Sequence, residues 1–454
     1  MKAETEPSGK KQKSGPSGPA QLGPNDPVPA LRSVTAEAKP LGGEAATGDE
    51  PPVGIVLQDP EGFATEPIIL TPETLALVTT FDGKRTLKQI LQVFEERYDI
   101  RLRDENILKL IQKLDDAGYL DSPRFRERLR EQVVAYLRAP TRPTAHAGTA
   151  YPEDAAGVRK MAEGFFLSAD GPGSLPSIRA PKTHQLSGLI LPHIDLRVGG
   201  STYAHGYKAL LERSQADLFV ILGVAHQGAG DGLYHLSVKD FETPLGTVKV
   251  ERTIAARLQA ISETDPALGE YLHRNEHSIE FQAVLMQAMI KDRACRNFEI
   301  VPVLCGPVEP FLPSDEKKGS DPRDDERFKR FVATLREELD KSRRKWCIIA
   351  SVDFSHVGPK FGDMTPMTQR LLLPVARGDR RLLEPLERVD ADAFYREIFR
   401  TRNSRHVDAV MATLTLLSAG QGLFAKGQLL HYDQMFEDPT KSVVSFASLA
   451  LESK

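Results

Sequence analysis

The pattern of apolar and polar positions divides the chain into an opening stretch without period, a short helical segment and a long alternating segment. From Val53 the runs VGIVLQD and EPIIL predict two short strands, and Thr71 with Pro72 then supplies an N-cap and a first helical residue for ETLALVTTFDG, which Gly83 is expected to end. A second helix is predicted from Thr86, with Leu87, Ile90, Leu91 and Phe94 on one face. A third carries Ile107, Leu108, Ile111 and Leu114 and stops at Gly118. Ser122 and Pro123 open a fourth, charged helix. The stretch APTRPTAHAG, residues 139–148, predicts a linker, and from Tyr151 the pattern changes. SGLILPHID, DLFVILGVAH, FEIVPVLCG and KWCIIASVDFSH are continuous apolar runs that predict buried strands, separated by amphipathic helical segments, so the fold class is α/β. SDEKKGSDPRDDER, residues 314–327, predicts a solvated surface loop.

Composition adds boundaries and exclusions. Residues 1–52 are rich in Pro, Gly, Ser, Ala and Lys and are read as a disordered tail, because they offer too little apolar surface to offset the entropy of ordering. The expected organisation is thus a tail over 1–52, a small domain over 53–125, a helix and linker over 126–148 and a large domain over 149–454. Across 454 residues, 59 Lys and Arg face 63 Asp and Glu, so no field of one sign favours general nucleic-acid binding. No apolar run approaches the ~18 residues of a membrane span, and no apolar segment follows the basic residues at the amino terminus, so a cytoplasmic location is expected. Cys295, Cys305 and Cys347 lack CxxC spacing, which excludes a disulfide framework and a thiolate zinc finger; all three are read as core residues.

Three predicted strands stop at polar clusters: His193 and Asp195, His226 and Gln227, and Asp353, Ser355 and His356. In an open α/β sheet, ligands gather at the carboxyl ends of the strands, so these residues are expected in one crevice. Neutral imidazoles beside a carboxylate are the donors of a divalent metal site, and His plus carboxylate with open positions suits non-haem iron. The segment NEHSIEFQAVLMQAM predicts a helix with Ile279, Ala283, Leu285 and Met286 apolar and Glu276, His277 and Glu280 at its start. His273, Glu276 and His277 also spell H-x-x-E-H, a zinc-hydrolase pattern in which two imidazoles share a helix face and the glutamate is general base.

The segments YPEDAAGVRKMAEGFF, LILPHIDLRVGGSTYAHGY, VILGVAHQG, FETPLGTVKV, NEHSIEFQAVLMQAM, IIASVDFSHVGPKFG and SVVSFASLAL resemble, in order, the Memo family, also called AmmeMemoRadiSam system protein B, over residues 149–454. The resemblance implies a fold similar to class III extradiol dioxygenases, which are non-haem iron enzymes. It assigns His193 and His226 to the family's two histidine motifs and Asp353 and His356 to its Ser-Asp-Phe-x-His motif, with Ser351 displaced by Val352. The family's Cys-Gly-Arg segment, whose cysteine binds metal, reads Asn403, Ser404, Arg405 here, followed by His406, so a thiolate is lost. The implied metal residues are His193, His226 and the Asn403 position, with His356, His406 or water to complete the set. Iron(II) is the expected ion, with copper and zinc as alternatives. His277 and His356 are the implied acid/base groups, oriented by Asp353 and Glu276. Because the family's Glu-His-Ser recurs without a histidine four residues earlier, His273 is read as incidental and the zinc hydrolase as a minor alternative.

Two functions follow from the resemblance: dioxygenase-like or redox activity in a radical-SAM-associated modification system, or a noncatalytic scaffold that binds a peptide. A radical-SAM protein and an AMMECR-like protein are the implied companions. In residues 53–125, DGKRTLKQILQVFEERY and ILKLIQKLDDAGYL resemble the peptide-binding, PqqD-like winged helix. Lys109 and Lys113 are offset by Asp104, Glu105, Asp115 and Asp116, which argues for a peptide or protein client over DNA.

Overall fold

Local signals place the first elements. The computed structural model describes residues 23, 25–40, 53–59, 62–177, 179–227, 230–294, 296–408 and 410–454, and divides the chain into one unit over Met1–Ala135 and another over Tyr136–Lys454. In the first unit β1 (Thr35–Pro40), β2 (Val53–Gln58) and β3 (Ile68–Leu70) form an antiparallel sheet in that order. Three helices follow: α1 (Pro72–Val78), α2 (Leu87–Tyr98) and α3 (Asp104–Ala117). The Thr71 hydroxyl accepts the Thr74 N–H at 3.2 Å, Thr86 and Gln89 make a capping box, and Gly118 closes α3 at φ 84°. Leu57, Ile68, Leu77, Ile90, Phe94, Ile111, Leu114 and Tyr119 share its core.

Three expectations need correction here. Much of the 1–52 tail lies outside the described residues, but Val28 is fully buried and Thr35–Pro40 is a strand, because β2 offers that segment a hydrogen-bonding edge. The first helix ends at Val78, ahead of Gly83: the hydroxyls of Thr79 and Thr80 donate to the carbonyls of Ala76 and Leu77, drawing on the last turn. Leu108 is 40% exposed, whereas Ile107, Ile111 and Leu114 are buried.

The next helix, α4 (Pro123–Arg138), starts where Ser122 Oγ accepts the Phe125 N–H at 3.1 Å, and the boundary between units falls within it. The strands of the second unit are β4 (Thr141–Arg142), β5 (Leu186–Leu191), β6 (Leu218–Val224), β7 (Tyr234–Leu236), β8 (Asp240–Thr243), β9 (Gly246–Val250), β10 (Glu299–Cys305), β11 (Trp346–Ser351), β12 (His356–Val357), β13 (Phe424–Glu437) and β14 (Ser442–Ser453). They form one sheet in the order β12-β14-β5-β11-β6-β10-β9-β8-β4, with β13 on β14 and β7 on β10. The four runs predicted as buried strands are β5, β6, β10 and β11, mutually parallel where they pair. The sheet as a whole is mixed, since β14 runs antiparallel to β5.

The helices of this unit are α5 (Ala155–Leu167), α6 (Leu196–Arg213), α7 (Arg252–Ile261), α8 (Pro266–Leu272), α9 (His277–Met286), α10 (Glu326–Ser342), α11 (Leu372–Glu387), α12 (Ala391–Thr401) and α13 (Val410–Ala419). In α9 every residue from Ser278 to Met286 is buried. Cys305 and Cys347 lie in the core as expected, and Cys295 is outside the described residues. Among the described residues no helix is long and apolar enough to cross a membrane.

Candidate metal centre

The neighbours β5, β11 and β6 are parallel, so their carboxyl ends deliver His193, Asp353 and His226 to one edge of the sheet. The start of α9 is fastened to the same edge. Ser278 Oγ accepts the Val224 N–H at 3.1 Å, and Gln282 Nε2 donates to the Pro192 carbonyl and to Ser351 Oγ, each at 2.8 Å. Gly223 permits this approach, since a Cβ there would stand 2.5 Å from Ser278 Oγ. Ser351 Oγ in turn donates to the Ser278 carbonyl at 2.6 Å. Ser351 therefore holds the helix against the sheet.

Three imidazoles meet in the crevice. His193, His226 and His277 each offer one ring nitrogen within 4.8 Å of the others, a group able to hold a metal ion. Their tautomers are set from behind. His193 Nδ1–H donates to the Ser351 carbonyl at 3.0 Å, and its backbone N–H donates to Asp353 at 3.1 Å. His226 Nδ1–H donates to Glu276 at 3.1 Å, with its backbone N–H on the same carboxylate at 3.3 Å. Glu276 also caps α9 through the Ser278 N–H at 2.9 Å and lies 3.3 Å from His277 Nδ1. Fixing Nδ1–H in this way turns Nε2 into the free donor atom, the usual arrangement behind metal-bound histidine.

One further residue enters that the sequence reading did not single out. Asp408 stands in the loop between α12 and α13, with Oδ2 at 3.1 Å from His193 Nε2, 3.8 Å from His226 Nε2 and 3.7 Å from His356 Nε2. Its other oxygen, Oδ1, is buried without a hydrogen-bond partner among the described residues. The available signal was a lone carboxylate immediately before the apolar run of α13.

Several expected residues take other places. Asn403 Oδ1 accepts the Val407 N–H and Asn403 Nδ2 donates to the Val407 carbonyl, both at 3.0 Å, so its amide closes a turn and is not presented to the histidines. That turn carries Arg402, Asn403 and His406 at φ 51°, 50° and 49°, a region a non-glycine residue enters at a cost. His277, expected as acid/base, joins the ligand group instead. His356 stands at the margin, its Nδ1 at 3.2 Å from the carbonyls of Phe354 and His406. His406 turns to Asp363, 3.5 Å away, and is half exposed. Asp195 caps α6 and pairs with Arg197, and Gln227 is exposed.

The zinc-hydrolase pattern does not form. α8 ends at Leu272 and α9 begins at His277, so His273 and His277 share no helix face. His273 is buried with Nε2 at 3.1 Å from the His235 carbonyl. Glu280 pairs with the fully buried Arg142 and accepts from the N–H groups of Ala145 and His146, which makes the predicted linker part of the core.

The electrostatics follow the layout. Burial opposes charge on His193, but Asp353 and Asp408 outweigh it and push the imidazole up to about 9. Burial likewise opposes charge on His226, and Glu276 and Asp408 push it up to about 10. For His277 burial wins over Glu276, and the cationic neighbours add to it, so it is lowered to about 3 and stays neutral. Asp353 is raised by burial, while Asp408 is held far below the usual carboxylate range because His193 and His356 overcome its burial. The crevice thus attracts positive charge strongly.

A sequence profile described as Memo-like protein matches residues 142–450. A MEMO1 family protein of Aquifex aeolicus is 29% identical over 395 residues, covering 87% of this chain and 95% of that protein. One from Pyrococcus furiosus is 28% identical over 309 residues, 67% of this chain and 97% of its own length. A third, from Thermus thermophilus, is 25% identical over 367 residues, 81% of this chain and 99% of its own.

Proposed function

The chain belongs to the Memo-like protein family, and from that premise we propose that its second unit binds one divalent metal ion in the histidine crevice and uses it for redox or oxygen-dependent chemistry. The observation that carries this reading is the convergence of His193, His226 and His277 with the Nδ1–H of His193 and of His226 turned away from the meeting point. Imidazoles beside carboxylates form a donor set of intermediate to hard character, which suits iron(II) better than copper(I), with zinc as the alternative.

Such an ion supplies a Lewis acid for an oxygen-donor substrate and a one-electron couple, the chemistry of the class III extradiol dioxygenases that the fold is proposed to resemble. The protein supplies the rest. Glu276 orients His226 and His277 together, and Asp353 fixes the backbone at His193. His277, neutral through the working pH range, is a donor to the ion and a poor acid. His356, at the rim with Nε2 toward Asp408, is the group positioned to hold a proton for an incoming substrate.

Residues 53–125 are proposed as a PqqD-like winged helix that docks a peptide or protein client, with the exposed Tyr98, Ile100 and Leu108 as its apolar contacts. A radical-SAM protein and an AMMECR-like protein are the proposed companions. The noncatalytic scaffold remains a second reading, favoured by the closed amide of Asn403 where the family has a thiolate.

Elemental analysis of protein purified without added metal tests the first reading. One ion per chain is expected in the parent and none in a folded His193→Ala, His226→Ala variant; equal metal in both contradicts the site. Oxygen uptake by the iron-loaded parent in the presence of catechols then separates catalyst from scaffold.

A further inference from the structure

We propose that Asp408 is the anionic ligand of this metal centre, standing in for the thiolate that the chain lacks at Asn403. The inference rests on the metal-centre reading and names the residue that completes it.

Asp408 faces three imidazoles. His193 and His226 commit their Nδ1–H groups to the Ser351 carbonyl and to Glu276, and His356 directs Nδ1 to two carbonyls. In each, Nε2 is therefore the ring nitrogen turned toward Asp408 Oδ2, a donor while the imidazole is charged and a lone pair once a metal ion takes the place of its proton. Three imidazole nitrogens around one carboxylate oxygen need cations among them, either protons or a metal ion. A proton can join only the pair at 3.1 Å, since the separations of 3.7 and 3.8 Å exceed a hydrogen bond. One metal ion can join Asp408 to His193 and His226 together. Two donors each ~2.1 Å from one ion, at octahedral or tetrahedral angles, lie about 3.0–3.4 Å apart; Asp408 Oδ2 stands at 3.1 Å from His193, within that range, and at 3.8 Å from His226, a few tenths beyond it.

The rest of the carboxylate agrees. Asp408 Oδ1 is buried and unpartnered among the described residues, which is costly for a structural aspartate and expected for one whose charge is answered by an ion. The loop also explains how the ligand is held. The Asn403 amide clamps the backbone of Val407, Arg405 is fixed to Ser355 Oγ and the Gly378 carbonyl at 3.0 Å each, and its own carbonyl accepts the His356 N–H at 2.7 Å. The residue after this clamp is Asp408. The turn at Asn403 thus presents a hard oxygen ligand, so manganese(II) and iron(II) should be preferred over copper(I).

Manganese(II) titration of the metal-free full chain, followed by electron paramagnetic resonance, tests the role of the charge. Asp408→Asn, which preserves shape and removes charge, should weaken binding by about 100-fold or more. Binding within threefold of the parent would reduce Asp408 to a hydrogen-bond partner and overturn the inference while leaving the metal site in place. Failure of the parent itself to bind manganese(II) or iron(II) would overturn both.

Contact with the ion is tested separately with cobalt(II), in case Asp408→Asn does not fold. Asp408→Cys should give the near-ultraviolet charge-transfer band of a thiolate-cobalt bond, and Asn403→Cys should give none. The opposite pattern, or no band from a folded Asp408→Cys, would overturn the assignment.

Discussion

Two buried polar clusters sit on the first two turns of α9, and they are built on opposite rules. In the first, Arg142 places all three of its nitrogens on acceptors: Nε meets the His273 carbonyl at 3.0 Å, Nη1 meets the Pro143 carbonyl at 2.9 Å and Glu280, and Nη2 meets the Glu276 carbonyl at 3.0 Å. Glu280 is matched as well, accepting from Ala145, His146 and the Tyr151 hydroxyl. In the second cluster, the Nε2 atoms of His193 and His226 both face Asp408 Oδ2, and Asp408 Oδ1 has no partner among the described residues. A matched cluster is complete as protein. Imidazole nitrogens gathered on one carboxylate are complete only with cations among them, protons or a metal ion, and this difference separates the anchor of α9 from its site.

The largest expected effect comes from breaking the matched cluster. Arg142→Met strands Glu280 in the core and should cost about 3–5 kcal/mol in denaturant unfolding. It also frees the Glu276 carbonyl, so metal affinity should fall with it. A loss below about 1 kcal/mol would remove the claim that this cluster anchors the site.

Acid probes the same anchor from its neighbour. Burial holds His273 at about 3, against an ordinary value of 6.5. Because the folded value is the lower one, the stability it contributes is complete above pH 6.5 and lost as pH falls toward 3, by about 1.4 kcal/mol per unit. His273→Gln should flatten that limb of the stability curve. An unchanged slope would mean that His273 charges without penalty.

Asn403→Ala removes two hydrogen bonds to Val407 and should cost about 1–2 kcal/mol, with a roughly tenfold loss of metal affinity as Asp408 loses its support. Metal binding at parental strength would separate the turn from the site. The smallest effect on stability is expected from His226→Ala with a chelator present. This imidazole is about one-third exposed, and its removal should cost less than about 1 kcal/mol while abolishing metal binding. A large loss would place it with the matched cluster.

The strands and their terminal histidines were legible because a parallel strand buried on both faces reads as an unbroken apolar run, and His193 and His226 interrupt such runs at their ends. The caps at Thr71, Thr86 and Ser122 were equally local. Asp408 was not legible, since its partners lie some 50 to 215 residues away and only the folded turn at Asn403 presents it to them. Arg142 was hidden for a similar reason: Pro and Thr around it read as linker, whereas its partners are carbonyls of a distant segment. Leu108 misled because apolar spacing does not distinguish a core face from an exposed one. The motif at His273, read as incidental, could not be settled from its spacing alone, because five residues cannot report that a helix ends among them.

Crystals of the full chain soaked in manganese(II), with anomalous data collected on both sides of the manganese edge, test the central claim most directly. One peak among His193, His226 and His277, in contact with Asp408, is the predicted result. A peak elsewhere, or none at a concentration that saturates binding in solution, would contradict it.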